Sequence, residues 1–434
     1  MRSRLIRTGL LCLALCLVAL LAWTPWCLQQ AGKAIEGQDL TRASQWLSRA
    51  ELLPWRTGER SFLQARIARK YGRNKEFARL LESARRAGVE ADRLEREVML
   101  QHAQIGDVQP LDEAFPQLLQ RGEDLPAICE AYVLGLITQF RIDQALGTLD
   151  VWSEDFPSDP QPHFLRGRLY EYMNHLDGAG VELRRALELA PYHAPAAMGL
   201  ARVESSQQNY ELALELYRQA AEHLFEPHPA LVGMARCYRE QGELEQARAV
   251  LQQAMARPPA QLVDAYRYVG DRGETAQSQA PIEMAKLELA ENRPEAAVVW
   301  FEQALASDRK DWKIRFLLGQ TLQRLGKTEE AALHLAQAEA ARAAFEEGDL
   351  LIDAVRKNPA DTEARYRMGL ILMEHMSVNN GLVWLKSVLK YDPHHVKTHI
   401  KLAEYFATNM AENPDYAVWR PIMRSRRGER NRHG

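Results

Sequence analysis

The chain has 434 residues and a formal net charge of −3, with 55 Lys and Arg against 58 Asp and Glu. A balance so close to neutral gives no electrostatic case for a nucleic-acid partner. Ala, Leu, Arg, Glu and Gln, all good helix formers, are abundant, and the period-2 alternation of Val, Ile and Thr that strands need is nearly absent, which points away from a sheet architecture.

Residues 1–8 carry Arg2, Arg4 and Arg7 and precede GLLCLALCLVALLAWTPWCL, residues 9–28, which hold no charge. Twenty residues at about 1.5 Å each reach about 30 Å, the thickness of a bilayer's hydrocarbon core. Trp23 and Trp26 stand where an interfacial aromatic belt would lie, and the basic flank should stay in the cytoplasm. The stretch is therefore expected to be an uncleaved transmembrane anchor in a bacterial inner membrane, with the rest of the chain on the periplasmic side. The bacterial assignment rests on an Ala-, Arg-, Leu- and Gly-rich composition. Leu20 and Ala22 suit a signal-peptidase site poorly, and Leu11, Leu15 and Trp26 before the three cysteines there do not suit a lipoprotein.

The body is organised around residues 160–193, PQPHFLRGRLYEYMNHLDGAGVELRRALELAPYH, two helices with a turn at Asn174 and a stop at Pro191. Ala179, Leu183 and Ala186 mark the second helix. Steps of 34 residues upstream give Ala145/Leu149/Trp152, Leu111/Phe115/Leu118, Phe77/Leu81/Ala84 and Ala43/Leu47/Ala50; downstream they give Ala213/Tyr217/Ala220 and Ala247/Leu251/Ala254. Gly72, Gly106, Asn174 and Gly242 hold the turn at one phase, and Pro157, Pro191 and Pro259 close second helices at another. Pro116 falls inside a second helix, where a kink is expected.

The register breaks twice, each time by 16 residues, before Ala297/Phe301/Ala304 and before Gly381/Leu385/Val388, with Ala331/Leu335/Ala338 between them. The first insertion, 262–277, reads as a short helical start followed by a polar, Gly-containing joint. The second, 346–361, has helical spacing at Leu350, Leu351, Ala354 and Val355 and reads as an extra helix. Repeats 1–7 then span 29–261, repeats 8–9 span 278–345, and repeats 10–11 span 362–423 with a degenerate cap. A basic tail, 424–434, has the composition of a disordered segment.

This phasing of small, large and proline residues at a 34-residue period resembles the tetratricopeptide repeat, over roughly residues 24–429. The resemblance implies an all-α right-handed superhelix, an α-solenoid of about eleven helix-turn-helix units. It also implies that first helices line a concave groove. Residues three before the small position of the first helix give an apolar strip, Phe164, Met198 and Val232. Those one after give arginines 34 apart, Arg168, Arg202 and Arg236. Phe62 with Arg66 repeats the arrangement upstream, and Ile282 with Lys286 downstream. Guanidinium forks suit carboxylates and backbone carbonyls, so the expected partner is a protein with an acidic or carboxylate-bearing segment. The alternative is that each arginine pairs with a neighbouring acid such as Glu171, Glu204 or Glu240.

No phosphate-cradling Gly loop, G-x-S-x-G or H-E-x-x-H is present, so no enzyme and no cofactor is expected. Cys129 and Cys237 are 108 residues apart and form no C-x-x-C pair. They read as small apolar packing residues. His395 and His399 share a helix face near His375, but no third ligand of matching geometry is evident, and no metal is expected. The chain reads as a membrane-tethered, non-catalytic scaffold for protein–protein interaction. A second reading is an organising factor for envelope polysaccharide assembly or an export complex.

Overall fold

The computed structural model describes residues 22–51, 56–122, 124–271 and 275–408, and every regular element in them is helical. The helices are α1 (22–36), α2 (Leu40–Ala50), α3 (Thr57–Lys70), α4 (Asn74–Arg86), α5 (Ala91–Gln104), α6 (Gln109–Arg121), α7 (Leu125–Thr138) and α8 (Ile142–Asp155). They continue with α9 (Gln161–Tyr172), α10 (Leu176–Leu189), α11 (Ala194–Ser206), α12 (Tyr210–His223), α13 (His228–Glu240), α14 (Leu244–Met255) and α15 (Pro259–Tyr268). The last are α16 (Ala276–Ala290), α17 (Pro294–Ser307), α18 (Trp312–Arg324), α19 (Thr328–Lys357), α20 (Thr362–His375), α21 (Val378–Tyr391) and α22 (Val396–Thr408). The chain divides into two compact units, one within 1–135 and 143–300, the other within 136–142 and 301–434.

Hairpins form because the turn residue can leave the helix left-handed. Gly72 takes φ +69° and Asn174 φ +58°. The next N–H then folds back onto the helix, Arg73 onto the Ala68 carbonyl at 2.8 Å and His175 onto Tyr170 at 2.8 Å, which caps its last turn. Within each hairpin, a small residue on the first helix faces a large one sixteen positions later. A Cβ added at Gly167 would come within 2.7 Å of Leu183, at Gly319 within 2.7 Å of Leu335, and at Gly369 within 2.8 Å of Leu385. The triplets Ala179/Leu183/Ala186, Ala213/Tyr217/Ala220 and Ala247/Leu251/Ala254 are buried throughout.

In the first unit, helices α9 to α14 pack in succession, each on the next. The stack then passes from α13 and α14 to α16, which takes the next place in the register. Helix α15, the helical start of the 262–277 insertion, packs beside α13 and α16 and takes no place of its own in the register. In the second unit α18 to α22 pack in succession. The 346–361 insertion makes no separate helix there. It extends α19 into 30 continuous residues, because nothing between Thr328 and Lys357 breaks a helix until Pro359. Helix α6 runs on through Pro116.

The expected inner-membrane placement, with the repeats on the periplasmic side, requires correction. Among the described residues, no helix is long and apolar enough to cross a membrane. Residues 1–21, most of the expected anchor, lie outside the described residues, as do the second half of the last repeat and the basic tail. The described end of the apolar run is spent on packing instead. Cys27 and Leu28 are buried with Ala31 and Ile35 in a core shared with α2, α3 and α4. Trp26 stands edge-on to Trp46 with ring centroids 4.9 Å apart, and Arg49 lies over Trp46.

Candidate binding face

The first helices of the first unit present a polar ladder beside a row of arginines. Lys70 on α3 bonds Gln38 at 3.0 Å and pairs with Glu130 on α7. Glu130 accepts from Gln161 on α9 at 2.7 Å, and Gln161 meets His193 Nε2 at 3.0 Å. Burial pushes the His193 imidazole down to about 4, so it is neutral at physiological pH and its Nδ1 accepts from the Ala196 N–H, capping α11.

The four apolar strip residues expected in an open groove are packing residues. Phe62, Phe164, Met198 and Val232 are all buried. Phe164 lies 5.2 Å from the His193 ring, and Val232 joins Ala280 and Met284 in one core cluster. A position three residues before the small residue therefore meets the next hairpin. Arg93 lies over the Phe62 ring at 4.2 Å. Ile282 is half-buried.

The charged members fall into three groups. Arg66 sits against Glu97 at 3.1 Å and Asp124 at 3.3 Å, with Arg69 also on Glu97 at 2.8 Å. Arg168 and Arg202 share Glu171, whose carboxylate accepts from Arg168 Nη1 at 2.5 Å and Arg202 Nε at 2.7 Å. Burial alone would raise the Glu171 carboxyl, but the charges of Arg202 and Arg168 outweigh it and hold the group below the usual carboxylate range. Arg236, Arg239 and Lys286 converge on Glu283, at 3.1, 3.2 and 3.0 Å. Glu204 pairs with Arg184 and Glu240 with Arg239, so of the three acids named from the sequence only Glu171 serves the expected arginines.

The remaining partners come from α15 and the turn after it. Arg168 Nη2 donates to the Gly270 carbonyl at 2.5 Å and to Asp271 Oδ1 at 3.3 Å, while Arg202 Nη1 stands 3.5 Å from Asp271 Oδ2. Gly270, at φ +83°, leaves room for the guanidinium; a Cβ there would lie 2.8 Å from Arg168 Nε. Tyr268 donates to the Gln38 carbonyl at 2.7 Å, and its ring lies 5.4 Å from Tyr71. Arg73 Nε donates to Asp264 at 2.6 Å. The Tyr266 hydroxyl is 3.2 Å from His228 Nδ1, an imidazole that burial and the Arg257 charge push down to about 4. The acids Asp264, Asp271 and Glu283 went unnoticed in the sequence. The one available signal was the composition of DAYRYVGD, two tyrosines between acids in the segment that breaks the register.

Among the described residues no group of His, Cys, Asp and Glu could hold a metal ion. His395 Nδ1 bonds Thr398 Oγ1 at 2.8 Å at the start of α22, and His399 donates to the Pro393 carbonyl at 2.7 Å.

Stacked helix hairpins with a polar first-helix face define an α-solenoid repeat protein. Tetratricopeptide-repeat family models match residues 164–230, 204–266 and 282–348, and these stretches carry that repeat. No curated protein matches the sequence. Among solved structures, that of PilW, a type IV pilus biogenesis factor, is 18% identical with a TM-score of 0.42, covering 50% of this chain and 94% of that chain. The Cut9–Hcn1 structure is 14% identical with a TM-score of 0.48, covering 84% and 67%. PilF of Pseudomonas aeruginosa is 17% identical with a TM-score of 0.34, covering 56% and 97%. Likenesses at this level carry no argument about what the chain binds.

Proposed function

We propose that the chain is a scaffold that holds a segment of another protein on the first-helix face of its central repeats, with Arg168 and Arg202 reading a carboxylate and Arg236 and Lys286 extending the basic track. The reading is supported by one observation above the rest. Two guanidinium groups from successive hairpins converge on a single carboxylate, Asp271, and that of Arg168 also takes the Gly270 backbone carbonyl, both from the segment that breaks the register. That is the chemistry of peptide recognition, with forks fixed by the shared Glu171 before any ligand arrives. Phe62, Arg66, Phe164, Met198, Val232 and Ile282 support the face from beneath or beside it.

The test is an array of acidic and neutral peptides probed with the wild-type chain and with Arg168→Gln/Arg202→Gln. Acid-selective capture by the wild type, lost in the variant at unchanged helicity, is the expected result. Equal capture by both would remove the arginines from the site.

A further inference from the structure

We propose that residues 259–271 are a built-in occupant of this face, and that a partner segment carrying an aromatic residue followed by a carboxylate displaces them. The proposal rests on the peptide-binding reading above and specifies how that site is regulated.

Helix α15 packs beside α13 and α16, with Leu262 and Tyr266 buried against Ala276, while α16 itself packs directly on α13 and α14 and so continues the succession of hairpins. The polar contacts of α15 run across the heads of hairpins far apart in sequence. Tyr268 meets Gln38 and Tyr71, Asp264 meets Arg73, Arg267 Nη1 donates to the Gly72 carbonyl at 3.3 Å, and Tyr266 meets His228. Asp271 and the Gly270 carbonyl then close on Arg168 and Arg202. A carbonyl, a carboxylate and two tyrosine hydroxyls are what an exogenous peptide would offer in the same places.

The fit is incomplete where the carboxylate sits. Arg202 Nη1 is buried and makes no hydrogen bond, although Asp271 Oδ2 stands 3.5 Å away. Asp271 hydrogen-bonds Arg168 and leaves a buried donor of Arg202 unspent, which costs stability that a better-placed carboxylate would recover. The pair is also open to competition, because the side chains of Arg168 and Asp271 retain 22% and 30% of their exposure. A face filled by its own chain binds in trans with an affinity reduced by the fraction of molecules in which it is open. Weakening the internal contact must therefore tighten external binding.

The experiment uses the full chain and a fluorescein-labelled copy of residues 259–271, PAQLVDAYRYVGD, read by anisotropy. Three proteins are compared: the wild type, Asp264→Asn/Tyr268→Ala, and that double variant carrying Arg168→Gln/Arg202→Gln as well. Hydrogen exchange over 259–271 reports release of the segment. The double variant should bind the peptide about tenfold more tightly than the wild type, and the added arginine changes should abolish the gain. Equal affinity in wild type and double variant overturns self-occupancy while leaving the peptide-binding reading intact if that affinity still needs Arg168 and Arg202. Absence of binding by a double variant whose 259–271 segment has been released sinks the peptide-binding reading itself. If the double variant loses helicity, Asp271→Asn alone makes the same comparison, with an expected gain of about threefold.

Discussion

Glu283 sits at the foot of three cations, Arg236, Arg239 and Lys286, and its side chain is only 2% exposed. Burial works against its charge, yet Arg236, Lys286 and Arg239 outweigh that penalty and carry the carboxyl from 4.5 down to about 2. A drop of that size ties about 3 kcal/mol of folding stability to the ionised form. Because the folded value lies below the unfolded one, the contribution is complete above about pH 4.5 and drains away as the pH falls towards 2. Replacing the acid by Gln should therefore lower stability by about 3 kcal/mol at pH 7, leaving three cations without their counter-charge. Urea denaturation of wild type and Glu283→Gln at pH 7 and pH 3 measures this. The gap should narrow markedly at the lower pH, and a gap independent of pH would mean that packing, not charge, ties Glu283 to the fold.

At the scale of the element, the hairpin is decided by a small residue meeting a large one. Helix propensity favours Ala over Gly by about 1 kcal/mol, so propensity alone has Gly167→Ala and Gly319→Ala stabilise the protein. Packing predicts the reverse, because each new Cβ would fall 2.7 Å from a leucine Cγ on the facing helix. Overpacking of that kind costs about 1–3 kcal/mol, enough to outweigh the propensity gain. Thermal denaturation should show both variants with a lower Tm; a rise in either would mean that its hairpin can open without loss. This pairing was legible in the sequence because both partners lie in one repeat, sixteen residues apart, and recur every 34. Continuity of α19 was legible in principle as well, since 346–357 holds no proline and a single glycine, Gly348. The place of α15 was not legible. Its partners Gln38, Tyr71, Arg73 and Arg168 lie on hairpins far from it in sequence, and no local pattern encodes that.

For the whole molecule, the lesson of the N-terminus is that an apolar run reports burial without naming what does the burying. Cys27 and Leu28 satisfy a hydropathy window as well as any lipid-facing residue, yet they lie in a protein core with Ala31 and Ile35. The arginine row shows the same ambiguity in charge: regular spacing named Arg168, Arg202 and Arg236, while Asp271, a shared partner of the first two, came from the segment that breaks the period. Repeat stacks also distribute stability in a particular way, largely through contacts between successive hairpins. Leu385 is fully buried in the core of the second unit with Leu382, Leu402 and Phe406. Truncation to Ala should cost about 2–5 kcal/mol there. With contacts clustered into two units, the loss should stay local: hydrogen exchange in Leu385→Ala should accelerate over 362–408 and remain at the wild-type rate over 161–255 in the first unit. Uniform acceleration across both segments would show one cooperative fold. It would also mean that partner binding at Arg168 and Arg202 stabilises the second unit along with the first.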